Sequence, residues 1–251
     1  MIPLAAISTL QLISVILVLL LLFLGFKIVE TNWSYRIGKP HQWETAVEVG
    51  LVSKKLRRIE RFYRDKVRFY TFWFQIERLK RESIAGAFAE VGVYRGETAK
   101  MIHAMDPSRT FHLFDTFAGF DERDINNEHT TEHTTIDFSN TSVDDVKLLI
   151  DGGDKIIIHR GYFPETTKNL EEQTYSFVHL DADLYQPTLA ALKYFYPRLS
   201  SGGVIIIHDY NHKWEGVRRA LGEVMPSISE TLVEIADAEG SVMIVKNNVE
   251  S

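Results

Sequence analysis

Two short apolar runs in the second half of the chain end in acids. Tyr175–Leu180 runs into Asp181, Ala182 and Asp183, and Gly202–Ile207 runs into His208, Asp209 and Tyr210. Asp181, Asp183 and Asp209 offer hard oxygen ligands of the kind that hold Mg²⁺ or a similar cation, and such a cation can grip a substrate diol and lower the pKa of a hydroxyl. In an extended segment Asp181 and Asp183 share one face, with Ala182 opposite. Two carboxylates that close raise the pKa of one of them, which makes it a candidate general base. The competing assignment gives one of the pair to capping the next helix.

Each run is short, β-branched or aromatic, and bounded by Gly or polar residues, the pattern of a buried strand. Between them Leu189, Leu192 and Tyr196 recur at helical spacing, starting near Pro187 and stopped by Pro197. A right-handed crossover makes the two strands parallel and brings both acid-bearing ends to one sheet edge, where open α/β sheets bind ligands. Further strands are predicted at Ala87–Val93, Thr110–Phe114 and Lys155–His159, with a helix running to Met105. Glu230–Ile235 and Ser241–Val245, turning near Gly240, predict a final hairpin. The fold expected is α/β: one doubly wound, mostly parallel sheet with a C-terminal antiparallel hairpin.

The turn after the first strand carries Glu90, Gly92 and Gly96, which lets a ligand approach the backbone and the free N–H groups of a helix start. Asp115 ends the second strand, where an acid can accept hydrogen bonds from ribose hydroxyls, although a turn-capping acid reads the same way. The pair fits an adenosine ligand. Neither a G-x-G-x-x-G run nor a phosphate-binding lysine motif is present, which disfavours dinucleotides and nucleoside triphosphates. Residues 121–140 are polar, with no apolar period, and predict a long loop or lid on the ligand edge. Within it His129, Glu132 and His133 match an H-x-x-E-H spacing, but paired threonines and the lack of an apolar stripe argue against the helix that motif needs.

The first 26 residues hold no charged side chain. As a helix the first 26 residues cover about 39 Å, against about 30 Å for a bilayer core, and Ile2–Phe26 is dominated by Leu, Ile and Val. Without basic residues before it or a small-residue cleavage site after it, the segment predicts an uncleaved anchor rather than a signal peptide. Lys27, Arg36 and Lys39 follow it, so the positive-inside rule predicts a single-pass membrane protein with a cytoplasmic catalytic domain. Residues 27–81 hold 14 Lys/Arg and 6 Asp/Glu, whereas 82–251 hold 14 and 28. The basic stretch 54–68 can attract anionic lipid or form a solvated helix face, and the acidic remainder argues against nucleic acid. Thr45–Lys80 predicts a mostly helical cover. The organisation expected is 1–26 anchor, 27–85 basic helical segment and 86–251 catalytic domain.

Five motifs, in order and spacing, resemble the macrocin-type O-methyltransferases, which use S-adenosylmethionine to methylate sugar hydroxyls. They are Glu90-Val-Gly-Val-Tyr-Arg-Gly96, Phe114-Asp-Thr-Phe-Ala-Gly-Phe120, Phe138-Ser-Asn-Thr-Ser-Val143, Gly161-Tyr-Phe-Pro-Glu-Thr166, and Asp181-Ala-Asp-Leu-Tyr185 through Tyr210. The resemblance runs from about Gly86 to Lys246 and leaves out the apolar first segment. It implies a Rossmann-like class I methyltransferase fold, with Glu90, Gly92, Tyr94, Gly96, Asp115 and Thr116 around the cofactor and Gly161 near its adenine. It also implies a divalent metal, held here by Asp181, His208 and Asp209, with Asp183 as the base. His208 departs from the family's acid, and imidazole suits Mn²⁺, Fe²⁺ or Zn²⁺ better than Mg²⁺. Without a metal, His208 itself becomes the candidate base.

The expectation is therefore a membrane-anchored, S-adenosylmethionine-dependent O-methyltransferase acting on a hydroxyl of a sugar-like or other polar small molecule. Self-association into a homo-oligomer is left open. The alternatives are a membrane-tethered cofactor-binding module without chemistry and an NAD-dependent oxidoreductase, the latter disfavoured by the glycine pattern.

Overall fold

The computed structural model describes residues 8–128, 134–211 and 215–247, without the side chains of residues 32–37. The chain forms two compact units that divide after Ser53. The first contains α1 (Thr9–Ile37) and α2 (His41–Glu48). Thr9–Thr31 of α1 is apolar and wholly exposed, and its 23 residues are long enough by length and composition to cross a membrane. The helix does not end at Phe26. It continues through Lys27 and Glu30, whose side chains pair at 2.7 Å one turn apart.

The second unit begins with α3 (Lys54–Phe62) and α4 (Lys66–Arg81). The helical stretch expected over Thr45–Lys80 is thus three helices. Asp65 explains one break: its side chain accepts the Arg68 N–H at 2.9 Å and caps α4. The sheet unit follows as β1 (Ala87–Val91), α5 (Glu97–Met105), β2 (Phe111–Asp115), α6 (Glu122–Ile125), α7 (Val143–Ile150) and β3 (Ile156–Arg160). It continues through β4 (Tyr175–Leu180), α8 (Tyr185–Arg198), β5 (Leu199–Ile207), α9 (Gly216–Val224), β6 (Val233–Glu234) and β7 (Val242–Val245). Pro197 does not stop α8 but sits inside its last turn, and β5 starts directly afterwards. Helices α7 and α9 were not expected, although Val146/Ile150 and Val217/Ala220/Leu221/Val224 are buried stripes at helical spacing.

Among the described residues the strands form one seven-stranded sheet in the order β3-β2-β1-β4-β5-β7-β6. The first five strands in sequence pair in parallel, while β7 runs antiparallel to β5 and β6 antiparallel to β7. This is the mixed α/β sheet expected. Helices cover both faces: Phe72 of α4 packs edge-on against Phe177 and His179, and Phe195 of α8 packs against Phe114 and Tyr175. Register places Val91 level with Phe114 and Leu180, and Leu180 level with Ile207. The residues that follow, Gly92, Asp115, Asp181 and His208, therefore leave the sheet along one edge. Strand order reverses between β1 and β4, the position where such sheets open a crevice.

Candidate active site

A cavity of about 1880 Å³ occupies that edge, and Gly92, Tyr94, Asp115, Thr116, Gly161, Asp181, Asp183, His208 and Asp209 all line it. Gly92 turns the chain out of β1 at φ +85°, and a Cβ there would lie 1.9 Å from the Asp181 carbonyl oxygen. Only glycine lets the loop after β1 rest on the end of β4.

Asp115 is less free than its position suggests. One carboxylate oxygen accepts the N–H groups of Val93 at 2.7 Å and Tyr94 at 2.8 Å, and the other accepts that of Phe117 at 2.6 Å. A carboxylate has about four acceptor sites, so three go to loop backbone and one is left for a ligand. Tyr94 adopts φ +48°. Its hydroxyl donates to Asn140 at 2.7 Å, and Phe138 packs edge-on against both Tyr94 and Phe120. Thr116 accepts the Ala118 N–H at 3.2 Å and shapes the turn to Gly119. Gly161 donates its N–H to the Asp115 carbonyl at 2.9 Å. Gly96 starts α5 at φ +80° and does not line the cavity.

Glu90 lies beneath the cavity, 0% exposed, with its carboxyl 2.8 Å from Nδ1 of the equally buried His179. Burial, reinforced by Asp181 and Asp115, pushes the Glu90 carboxyl well above its usual range. Burial lowers His179 to about 3. Burial thus disfavours the charged form of each, and their 2.8 Å contact joins the centres of β1 and β4.

The acids converge as expected, but by a different route. Asp183 is not extended: it takes φ +57°, as Asp209 takes φ +59°. These bends, rather than strand alternation, turn their carboxylates into the cavity. His208 Nδ1 lies 2.8 Å from an Asp181 oxygen and 3.0 Å from an Asp209 oxygen. Both are ion-pair distances, although neither buried ring nitrogen makes a well-aligned hydrogen bond. One ligand atom from each of the three residues falls within 4.8 Å of the others. Ligand atoms this close together fit a cation, and two carboxylates plus an imidazole suit Mn²⁺, Fe²⁺ or Zn²⁺ better than Mg²⁺.

The charges are strongly interdependent. Burial opposes ionisation of Asp181, but the His208 charge outweighs it and holds the carboxyl below its usual range. Burial likewise opposes charging His208, and Asp181 with Asp209 nevertheless raises it to about 10. Burial, Asp181 and Asp209 together push Asp183 well above the carboxylate range.

The sequence reading gave Arg68 to the basic stretch that meets lipid or solvent, but it lines the cavity, as does Tyr63. Arg68 is 8% exposed, its Nε 3.3 Å from an Asp237 oxygen in the turn before β7. Asp181, Tyr63, Asp237 and Asp65 keep it protonated against the cost of burial. The available signal was an arginine four residues before Phe72, on the helix face that meets the sheet. His129, Glu132 and His133 lie outside the described residues.

The macrocin-O-methyltransferase (TylF) family profile matches residues 46–237. Mycinamicin III 3''-O-methyltransferase of Micromonospora griseorubida is 29% identical over 185 residues, covering 66% of this chain and 70% of that protein. The 8-demethyl-8-(2,3-dimethoxy-alpha-L-rhamnosyl)-tetracenomycin-C 4'-O-methyltransferase of Streptomyces olivaceus is 27% identical over 150 residues, covering 54% of this chain. That match spans 57% of the relative's own length. Among solved structures, the O-methyltransferase NovP superposes with a TM-score of 0.62 at 22% identity, over 73% of this chain and 81% of its own. The calicheamicin methyltransferase CalS11 gives 0.54 at 20%, over 71% and 80%. At these identities the superpositions establish the methyltransferase fold.

Proposed function

The chain belongs to the macrocin O-methyltransferase family, and we propose that it transfers the methyl group of S-adenosylmethionine to a hydroxyl of a sugar-like or other polar small molecule. The observation that carries this reading is the meeting of Asp183 with Asp181, His208 and Asp209 in the same cavity as the Gly92 and Asp115 loops.

Bound S-adenosylmethionine would supply a methyl group on a sulfonium, with the sulfur released as a neutral thioether as the methyl passes to the acceptor oxygen. Gly92, Tyr94, Asp115, Thr116 and Gly161 hold it, with Gly96 setting the start of α5 and Glu90 bracing the turn from below. A divalent cation, Mg²⁺ or more suitably Mn²⁺, would supply a Lewis acid, and Asp181, His208 and Asp209 would hold it. Asp183 takes the acceptor's proton. Burial, with Asp181 and Asp209, raises its pKa, the direction that suits a group that must take up a proton. The alternative base, His208, needs a neutral ring, and Asp181 opposes that up to about 10.

In this reading α1 is a single-pass anchor, residues 27–85 include a basic, mostly helical segment that can meet anionic lipid, and residues 86–251 form the cytoplasmic methyltransferase. Full-length protein incubated with methyl-labelled cofactor and fractionated cell extract should label a small hydroxylated product. Cofactor binding without any labelled product would favour the non-catalytic module. Deletion of residues 1–31 should release the protein from membranes with cofactor affinity intact, and continued pelleting in high salt would count against the anchor.

A further inference from the structure

We infer that the acceptor carries a phosphate or diphosphate ester, read by the exposed cations of α3 while its sugar end reaches the acids. The inference rests on the methyltransferase reading and deepens it.

Lys54, Lys55, Arg58, Ile59 and Phe62 line the cavity. Their spacing makes them one face of α3. Lys55 is engaged, its Nζ donating to the Ile150 carbonyl at 2.9 Å. Lys54 and Arg58, one turn apart, are exposed and take part in no ion pair among the described residues. Lys100 adds a further cation to the lining, 4.0 Å from Glu97.

Nothing on α3 balances these charges. The helix reads KKLRRIERF, and its single acid, Glu60, is buried and accepts the Tyr70 hydroxyl at 2.9 Å. Like charges one turn apart destabilise an isolated helix, and the rest of the unit from residue 82 onward is strongly acidic. A basic face turned into a cavity of an otherwise acidic body is a site for an anion.

The cavity also has the room. At about 1880 Å³ it exceeds the roughly 300–1,000 Å³ that holds one drug-sized ligand, which leaves space for an acceptor beside the cofactor. The acid cluster would repel a phosphate placed next to it. The ligand this wall matches is therefore neutral and hydroxylated at the reacting end and anionic at the other. Two sources present that chemistry, a nucleoside diphosphate sugar in solution and a polyprenyl diphosphate sugar in a bilayer.

The test uses full-length protein saturated with S-adenosylhomocysteine and titrated calorimetrically with inorganic pyrophosphate. The wild type should bind it, and Lys54→Gln with Arg58→Gln should weaken binding about tenfold or more, the loss expected for a charge-assisted contact. Both side chains are exposed, so the variant should keep its unfolding temperature and its affinity for S-adenosylhomocysteine. No pyrophosphate binding, or equal binding by the variant, overturns the inference. Loss of S-adenosylhomocysteine affinity instead would assign the two cations to the cofactor's carboxylate, overturning the inference but not the methyltransferase reading. Failure of the wild type to bind S-adenosylhomocysteine would remove that reading itself. Competition with pyrophosphate by uridine diphosphate supports the soluble source. Competition by phosphatidylcholine vesicles carrying a polyprenyl diphosphate supports the lipid source, and competition by neither overturns the proposal.

Discussion

The Asp115 carboxylate accepts the Tyr94 backbone N–H at 2.8 Å, through the same oxygen that accepts Val93, and so ties the end of β2 to the turn after β1. Asp115→Ala should therefore weaken cofactor binding twice over, by loosening the turn and by removing the one spare acceptor. A single charge-assisted bond contributes about 1.5–3 kcal/mol, and the loss should reach at least that, with a fall in unfolding temperature. Calorimetry with S-adenosylhomocysteine checks it, and unchanged affinity would move the cofactor away from this turn.

The three-ligand cluster predicts metal-dependent turnover. Chelator should abolish methyl transfer, and Mn²⁺ or Fe²⁺ should restore it better than Mg²⁺, with His208→Asp reversing that preference. A bound cation must displace the proton that Asp181 holds on His208, so binding should release protons and tighten as pH rises. Titration in buffers of differing ionisation enthalpy reads this directly. Turnover indifferent to chelator would rule the cluster out as a working metal site.

Asp183→Asn removes the proton acceptor without removing any of the three ligand residues. It should reduce the rate by at least about 10²-fold, the usual contribution of a general base, while affinities for cofactor and Mn²⁺ stay near wild type. Wild-type turnover would eliminate Asp183 from the chemistry.

Much of the fold was legible because strand signals are local. Tyr175–Leu180 is bounded by polar residues on both sides, and β4 has those limits. The shared edge followed from crossover handedness alone. What a linear pattern cannot show is backbone that reverses within one residue. Strand alternation placed Asp181 and Asp183 on one face, but Asp183 turns left-handed, and the three acids meet for that reason. Asp115 looked available because sequence does not reveal which N–H groups a loop will turn towards it. Arg68 read as one more cation of a lipid-facing or solvated stretch, because its burial beside the turn that holds Asp237 has no local signal.

A pH effect on stability arises away from the site. His112 Nδ1 meets His159 Nε2 at 2.9 Å between β2 and β3. Burial, then the His159 field, lowers His112 from 6.5 to about 4. Between those values the unfolded chain binds the proton that the folded one refuses, so stability falls as pH drops through this window and is fully present above it. His112→Gln should flatten that acid limb by on the order of 1–2 kcal/mol. Urea unfolding at about pH 7 and about pH 5 measures it, and an unaltered slope would show that His112 protonates as readily folded as unfolded.

The pairing of Val91 with Leu180 also governs how the molecule is born. The central strand emerges from the ribosome long before its second neighbour, so β1 must wait, one edge open, through the synthesis of α5, β2, α7 and β3. A parallel partner that distant in sequence closes slowly and leaves an apolar edge exposed meanwhile. A nascent chain stalled before Leu180 would have no working half-enzyme, only a sheet with an adhesive border. Premature termination in this region should therefore yield aggregates rather than a partly active fragment.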